Sequence, residues 1–93
     1  MDKKSIVVVR KPTEDEIKKA NSWPLWDKPV SKFDWSYSGK EECLIIEGQA
    51  TVTGKEPNTG SWTFKAGDYV IFNTGLKCTW HITANLKKHY NFS

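Results

Sequence analysis

Glu41 is the residue in this chain best suited to acid–base chemistry, and Trp35, Tyr37, Cys43, Cys78 and Trp80 are the side chains that could share a site with it. Strand side chains alternate between faces, so Trp35 and Tyr37 fall on one face of a strand, and Glu41 and Cys43 on one face of the next. Counted from Cys78 as an inward position, Trp80 also points inward and His81 points out. A carboxyl group enclosed by Trp35, Tyr37 and Trp80 loses water, which favours its neutral form and suits a general acid or base. The Tyr37 hydroxyl would assist it as the second candidate catalytic group. The three rings make a wall on which a planar or sugar-like ligand can stack, with Cys43 and Cys78 at the floor. Each reading has a plainer rival. A Glu41 held by the Tyr37 hydroxyl or by a lysine would be structural, and a small barrel needs large rings simply to fill itself.

Metal chemistry finds little support. The chain has two histidines, His81 and His89. A catalytic first-row metal usually takes three protein ligands and keeps one position open. Glu41, Cys43 and Cys78 could supply three, but a thiolate and carboxylate set without histidine is unusual. The expectation is no metal and no cofactor, with two packed thiols beside a hydrogen-bonded glutamate. The cysteines form neither a redox pair nor a metal-finger spacing. Lys77, Lys87 and Lys88 read as a solvated face, and Asp68 after Gly67 as a turn residue.

The elements that must position these groups are short strands. A chain of 93 residues reads as one domain over 1–93, burying roughly 60 to 65% of its unfolded surface. Five Trp, three Tyr and four Phe supply much of that core. The net charge of +3 comes from scattered lysines among carboxylates, without the basic stripe that tracks phosphates, so nucleic acid is not an expected partner. No apolar run approaches the roughly 20 residues of a membrane helix, and no signal-peptide stretch opens the chain, so a soluble cytoplasmic protein is expected.

Ser5 to Arg10 reads as a strand at a sheet edge. Thr13 and Glu16 fit a capping box opening a helix of about two turns through Ala20, with Ile17 and Ala20 on its buried side. Pro24 and Pro29 keep Trp23 to Trp26 extended, as an aromatic lid or lining. From Phe33 onward, turn signals at Ser38-Gly39-Lys40, Gly48, 54–60, Gly67-Asp68, Thr74-Gly75 and Thr83-Ala84-Asn85 separate short strands. Gln49 to Thr53 and Ser61 to Lys65 should form a hairpin, and 87–92 a last strand. This pattern predicts an all-β sandwich or small barrel.

Glu41 with Gly48 resembles the first cupin motif, and Gly67-Asp68 through Asn73-Thr74-Gly75 resembles the second, with Asn73 where proline is usual. Trp23-Pro24-x-Trp26, Phe33-x-Trp35-x-Tyr37, Glu41-x-Cys43, Cys78-x-Trp80 and Lys88-His89-Tyr90 extend the likeness to small cupins similar to the cupin domain of (S)-ureidoglycine aminohydrolase. The resemblance implies a cupin (RmlC-like) jelly-roll barrel with one short N-terminal helix. It also implies that Trp35, Tyr37, Glu41 and Cys78 stand where metal-binding cupins carry their ligands, with Glu41 alone kept. The function expected from residues and resemblance together is a metal-independent site for a small polar metabolite, with Glu41 as acid or base. The alternatives are a non-catalytic homodimer joined through an edge strand such as Ile6 to Val9, or an atypical metal-dependent enzyme like the aminohydrolase.

Overall fold

The computed structural model describes residues 6–93; Ser5 and the lysines before it lie outside them. Seven strands and one helix follow in the order β1 (Val7–Arg10), α1 (Glu14–Ala20), β2 (Leu25–Lys28), β3 (Ser31–Ser36), β4 (Glu41–Gly54), β5 (Gly60–Lys65), β6 (Tyr69–Phe72) and β7 (Lys77–Phe92). All pairings are antiparallel.

Two long strands build the jelly-roll barrel. The first part of β4 pairs with β6 and its second part with β5, while β7 pairs first with β3 and then with β2. β4 and β7 also pair with each other along nearly their whole length, with register shifts between Ile45 and Ala50. Each long strand is therefore shared between two half-sheets that bend toward one another at those shifts, as β-bulges allow. β1 pairs with β6 at one end of the strand order, and the β4–β5 hairpin has the expected register, Gln49 opposite Lys65 and Thr53 opposite Ser61.

Several local expectations need correction. Thr83-Ala84-Asn85 is no turn; it lies within β7, whose partners continue on both sides, so ladder hydrogen bonds override the local turn preference. Gly48 is likewise inside β4, at the bulge. Its φ is 90°, and a Cβ there would lie 2.2 Å from the Asn85 carbonyl oxygen and 2.6 Å from that of Ala84. Gly48→Ala is accordingly expected to lose about 1 to 3 kcal/mol to backbone strain alone, with the clash adding to that. A urea midpoint unchanged from wild type would show that the bend does not depend on this glycine.

Helix α1 has its capping box, with the Thr13 side chain accepting from the Glu16 amide and Glu16 accepting from the Thr13 amide. Ala20 is fully buried, but Ile17 is 39% exposed, because a seven-residue helix lying on the barrel surface covers only one narrow stripe. Ala20 joins Leu44 and Tyr69 in a small cluster, with Trp23 and Ile71 packed against it. Arg10 reaches the same helix, donating to both Glu16 oxygens at 2.7 and 2.6 Å. Those hydrogen bonds, ahead of the Thr13 amide bond and the guanidinium charge, pull the Glu16 carboxyl down to about 2 against the opposing effect of its desolvation. A carboxylate depressed on folding stabilises the fold above its unfolded value near 4.5 and loses that contribution as pH falls toward 2. In Arg10→Gln, carboxyl NMR should show Glu16 titrating near an ordinary carboxylate, and stability should fall less steeply between pH 4.5 and 2. An unchanged slope would count against the pair.

The main core lies inside the barrel. Val7, Cys43, Ile45, Ala50, Val52, Phe64, Val70, Phe72, Leu76, Ile82 and Leu86 fill it with Tyr37, Cys78 and Trp80.

Candidate functional site

The inner face of β7 explains the site. Cys78, Trp80, Ile82, Leu86 and Lys88 are all buried at even positions, so one alternation runs through the strand. On β4 the inward set changes phase at the bulge, from Glu41, Cys43 and Ile45 to Ala50 and Val52. The interior is thus packed solid at the β5 end and holds polar groups at the other.

Glu41 and Lys88 are those groups. Glu41 is 2% exposed and Lys88 5%, and Lys88 Nζ donates to Glu41 Oε2 at 2.6 Å. Lys88 stands opposite Ile45 in the ladder, whereas Glu41 stands opposite Phe92, so the two long side chains extend toward each other along the inner face. The Lys88 ammonium also sits 4.8 Å from the ring centroids of both Trp26 and Trp80, a cation–π arrangement that is strengthened when water is excluded. The solvated role expected for Lys88 is therefore wrong. A lysine can be buried here because a carboxylate and two indole faces replace its hydration.

Tyr37 completes the polar cluster. Burial, the Glu41 charge and the hydrogen bond to Glu41 all push its phenol well above the ordinary tyrosine range, so it stays a neutral donor. Its backbone is fixed on both sides, donating to the Leu76 carbonyl at 2.8 Å and accepting from the Gly75 amide at 2.8 Å. Its ring stacks on Phe72 with centroids 5.0 Å apart and planes 5° from parallel.

These groups open onto a cavity of about 260 Å³, just under the roughly 300 Å³ at which small-molecule sites begin. Trp26, Phe33 and Trp80 form one wall, with Phe33 stacked on Trp80 at 6.0 Å. Trp35, Tyr90 and Phe92 border it as well; Trp35 is 49% and Phe92 51% exposed, which places them at the rim. Of the residues singled out in the sequence, Glu41, Tyr37, Trp35 and Trp80 are brought together here.

Cys43 and Cys78 are placed elsewhere. Neither borders the cavity, contrary to the floor positions expected from alternation alone. Cys43 is enclosed in the core and donates to the Val70 carbonyl at 3.6 Å, and Cys78 donates to the Trp35 carbonyl at 3.6 Å. Burial, ahead of the neighbouring charges, pushes the Cys43 thiol up to about 12 and the Cys78 thiol up to about 11. Cys78 instead borders an open groove with Asp34, Trp35, Lys55 and Lys77.

The positions at which metal-binding cupins carry ligands do not fit a metal. Glu41 is engaged by Lys88, the Cys43 and Cys78 thiols donate to backbone carbonyls, and Trp35 and Tyr37 supply no imidazole. Among the described residues no three His, Cys, Asp or Glu side chains come together as a metal cluster. His81 is exposed, and His89 pins the Trp23 carbonyl with its Nδ1 at 2.9 Å.

Phe33, Lys88, Tyr90 and Phe92 are the site residues missed in the sequence, whereas Trp26 lines the cavity as expected of the Trp23 to Trp26 stretch. The signal was present for three of them: Lys88, Tyr90 and Phe92 lie eight, ten and twelve residues beyond Trp80 on the same strand, in phase with it. A turn at 83–85 would break that alternation, but these residues lie within β7.

Comparison with known proteins agrees with the cupin fold. Residues 16–90 match the family model of the EutQ-like cupin domain. A DUF861-family protein from Thermotoga maritima has 38% identity over 94% of this chain and 99% of its own, with a TM-score of 0.86. A DUF861-family protein of unknown function from Pseudomonas syringae is 26% identical over 74% of this chain and 29% of its own, at a TM-score of 0.65. The EutQ protein of Clostridium difficile shares the fold at 15% identity, over 73% of this chain and 52% of its own, with a TM-score of 0.63. No curated protein matches the sequence.

Proposed function

This chain belongs to the EutQ-like cupin family, and from that premise we propose that its barrel is a binding site for a small, polar, partly planar metabolite, independent of metal. The observation that carries the proposal is the Lys88–Glu41 ion pair, 2.6 Å long and buried, facing an aromatic cavity. A buried ion pair is a poor device for stability, because well-packed apolar residues of similar volume usually serve as well or better. Placed at the end of a cavity, with a neutral phenol beside it, the same pair offers a ligand a donor, an acceptor and a proton carrier. The indole and phenyl faces supply stacking area.

If the bound metabolite is turned over, Glu41 is the group to move a proton at a carbon or nitrogen centre, with the Tyr37 hydroxyl holding the developing charge. A cytoplasmic setting is part of this reading: Cys43 and Cys78 are both free thiols, which suits a reducing compartment. Among the described residues no helix is long and apolar enough to cross a membrane.

A thermal-shift screen of small polar metabolites tests the proposal. A ligand at about 100 times its Kd stabilises the folded state by about 2.7 kcal/mol, so a hit should raise the unfolding midpoint clearly. Glu41→Gln should cancel the rise for that ligand. A library without hits, or a hit that still stabilises Glu41→Gln by the same amount, would remove the basis for a site at Glu41.

A further inference from the structure

We propose that Lys88 is a carbonyl-reactive amine, and that the cavity captures small neutral aldehydes or ketones as an imine on Lys88 Nζ. The inference rests on reading the cavity as a small-molecule site and names the substrate class.

Four observations carry it. Lys88 is the one amine on the cavity wall among the described residues, and its side chain is only 7% exposed, so a carbonyl compound reaching it has left water behind. Its nitrogen touches a carboxylate, Glu41 Oε2 at 2.6 Å, able to take a proton and return it. Trp26 and Trp80 flank the nitrogen at 4.8 Å each, and indole faces stabilise an iminium as they do an ammonium. Finally, Tyr37 hydrogen-bonds the same carboxylate and so lies where a departing oxygen needs a donor. An anionic ligand is the weaker alternative. The Lys88 charge is already neutralised by Glu41, and among the described residues the lining holds no second cation to outweigh that carboxylate.

The step balances without an outside oxidant or reductant. The Lys88 ammonium passes one proton to Glu41, freeing the nitrogen lone pair, which forms a C–N bond as the carbonyl π pair moves to oxygen. A proton shifts from nitrogen to that oxygen, giving the carbinolamine. Glu41 then returns its proton to the hydroxyl, water leaves with the C–O pair, and the nitrogen lone pair closes the C=N bond. The product is one iminium and one water, with Glu41 again a carboxylate. The site therefore holds one positive and one negative charge before and after, and no new charge is desolvated. Lysine amines form Schiff bases of this kind with carbonyl substrates.

The intact protein should be incubated with benzaldehyde and sodium cyanoborohydride, and the benzylated lysines mapped by peptide mass spectrometry. Lys87 is the internal control, adjacent in sequence but on the opposite face of β7. Lys88 is expected to be labelled about tenfold faster than Lys87, as a positioned nucleophile should be. Glu41→Gln should slow labelling at position 88 and leave Lys87 unchanged, and Lys88→Arg should abolish the cavity adduct. Should Lys88→Arg fail to fold, the wild-type ratio of Lys88 to Lys87 decides alone.

Benzyl alcohol, which has the ring without the carbonyl, separates the two ideas by thermal shift. If it stabilises the protein while Lys88 is labelled no faster than Lys87, the cavity binds small planar molecules and the imine is overturned. If neither compound shifts the midpoint and Lys88 gains no selective label, the cavity reading falls with it.

Discussion

Lys88→Met is expected to lower the unfolding free energy by about 3 to 5 kcal/mol, the usual loss when one member of a buried ion pair is removed. The loss arises because Glu41, 2% exposed, is left as an uncompensated charge with only the Tyr37 hydroxyl for company. Two further contributions go with it: the indole contacts of the ammonium at Trp26 and Trp80, and the fit of the lysine stem. In a chain of this size each kcal/mol moves the thermal midpoint by roughly 4 to 8 °C, so the change should be plain by calorimetry. Replacing both partners, as Glu41→Leu with Lys88→Met, should return most of the stability, because the double variant buries no charge at all. A double-mutant cycle makes the comparison. If the double variant loses the sum of what Lys88→Met and Glu41→Leu lose singly, the pair is not coupled and water reaches it.

Phe72→Ala comes second, with an expected loss of about 3 to 5 kcal/mol. Phe72 is fully buried and holds the aromatic core together: it stacks on Tyr37 at 5.0 Å, meets Phe64 edge-on at 5.9 Å and tilts against Trp80 at 5.4 Å. Its strand, β6, is four residues long, and Phe72 faces Val7 on one side and Glu41 on the other. Removing the ring leaves a cavity that backbone on both sides prevents from closing. Because Phe72 backs Tyr37 without bordering the ligand cavity, the variant should also weaken any ligand found by thermal shift. Phe72→Leu, which refills most of the volume, should regain much of the stability. A loss below about 1 kcal/mol for Phe72→Ala would mean the site had collapsed and repacked, a degree of give that well-packed interiors seldom show.

Much of the framework was open to reading in the residues alone. The alternation around Trp35, Tyr37 and Glu41, the Thr13–Glu16 box and the β4–β5 hairpin are local patterns, and local patterns follow from backbone geometry that neighbours in sequence share. The errors fall where a distant strand decides. Thr83-Ala84-Asn85 carries turn residues, yet β4 pairs alongside it and the strand continues. Ile17 has the right spacing to be buried, yet the barrel covers only the Ala20 stripe.

What the sequence determined by itself was the class of fold and the inward placement of Glu41, Tyr37 and Trp80, because side-chain alternation and glycine punctuation are written into short stretches of chain. Only the tertiary structure decided that Lys88 turns inward to meet Glu41, and that the cysteines lie outside the cavity. A lysine's tendency to remain in water is overcome by the sum of a carboxylate from β4, an indole from β2 and a second indole from its own strand β7, and no stretch of sequence holds that sum.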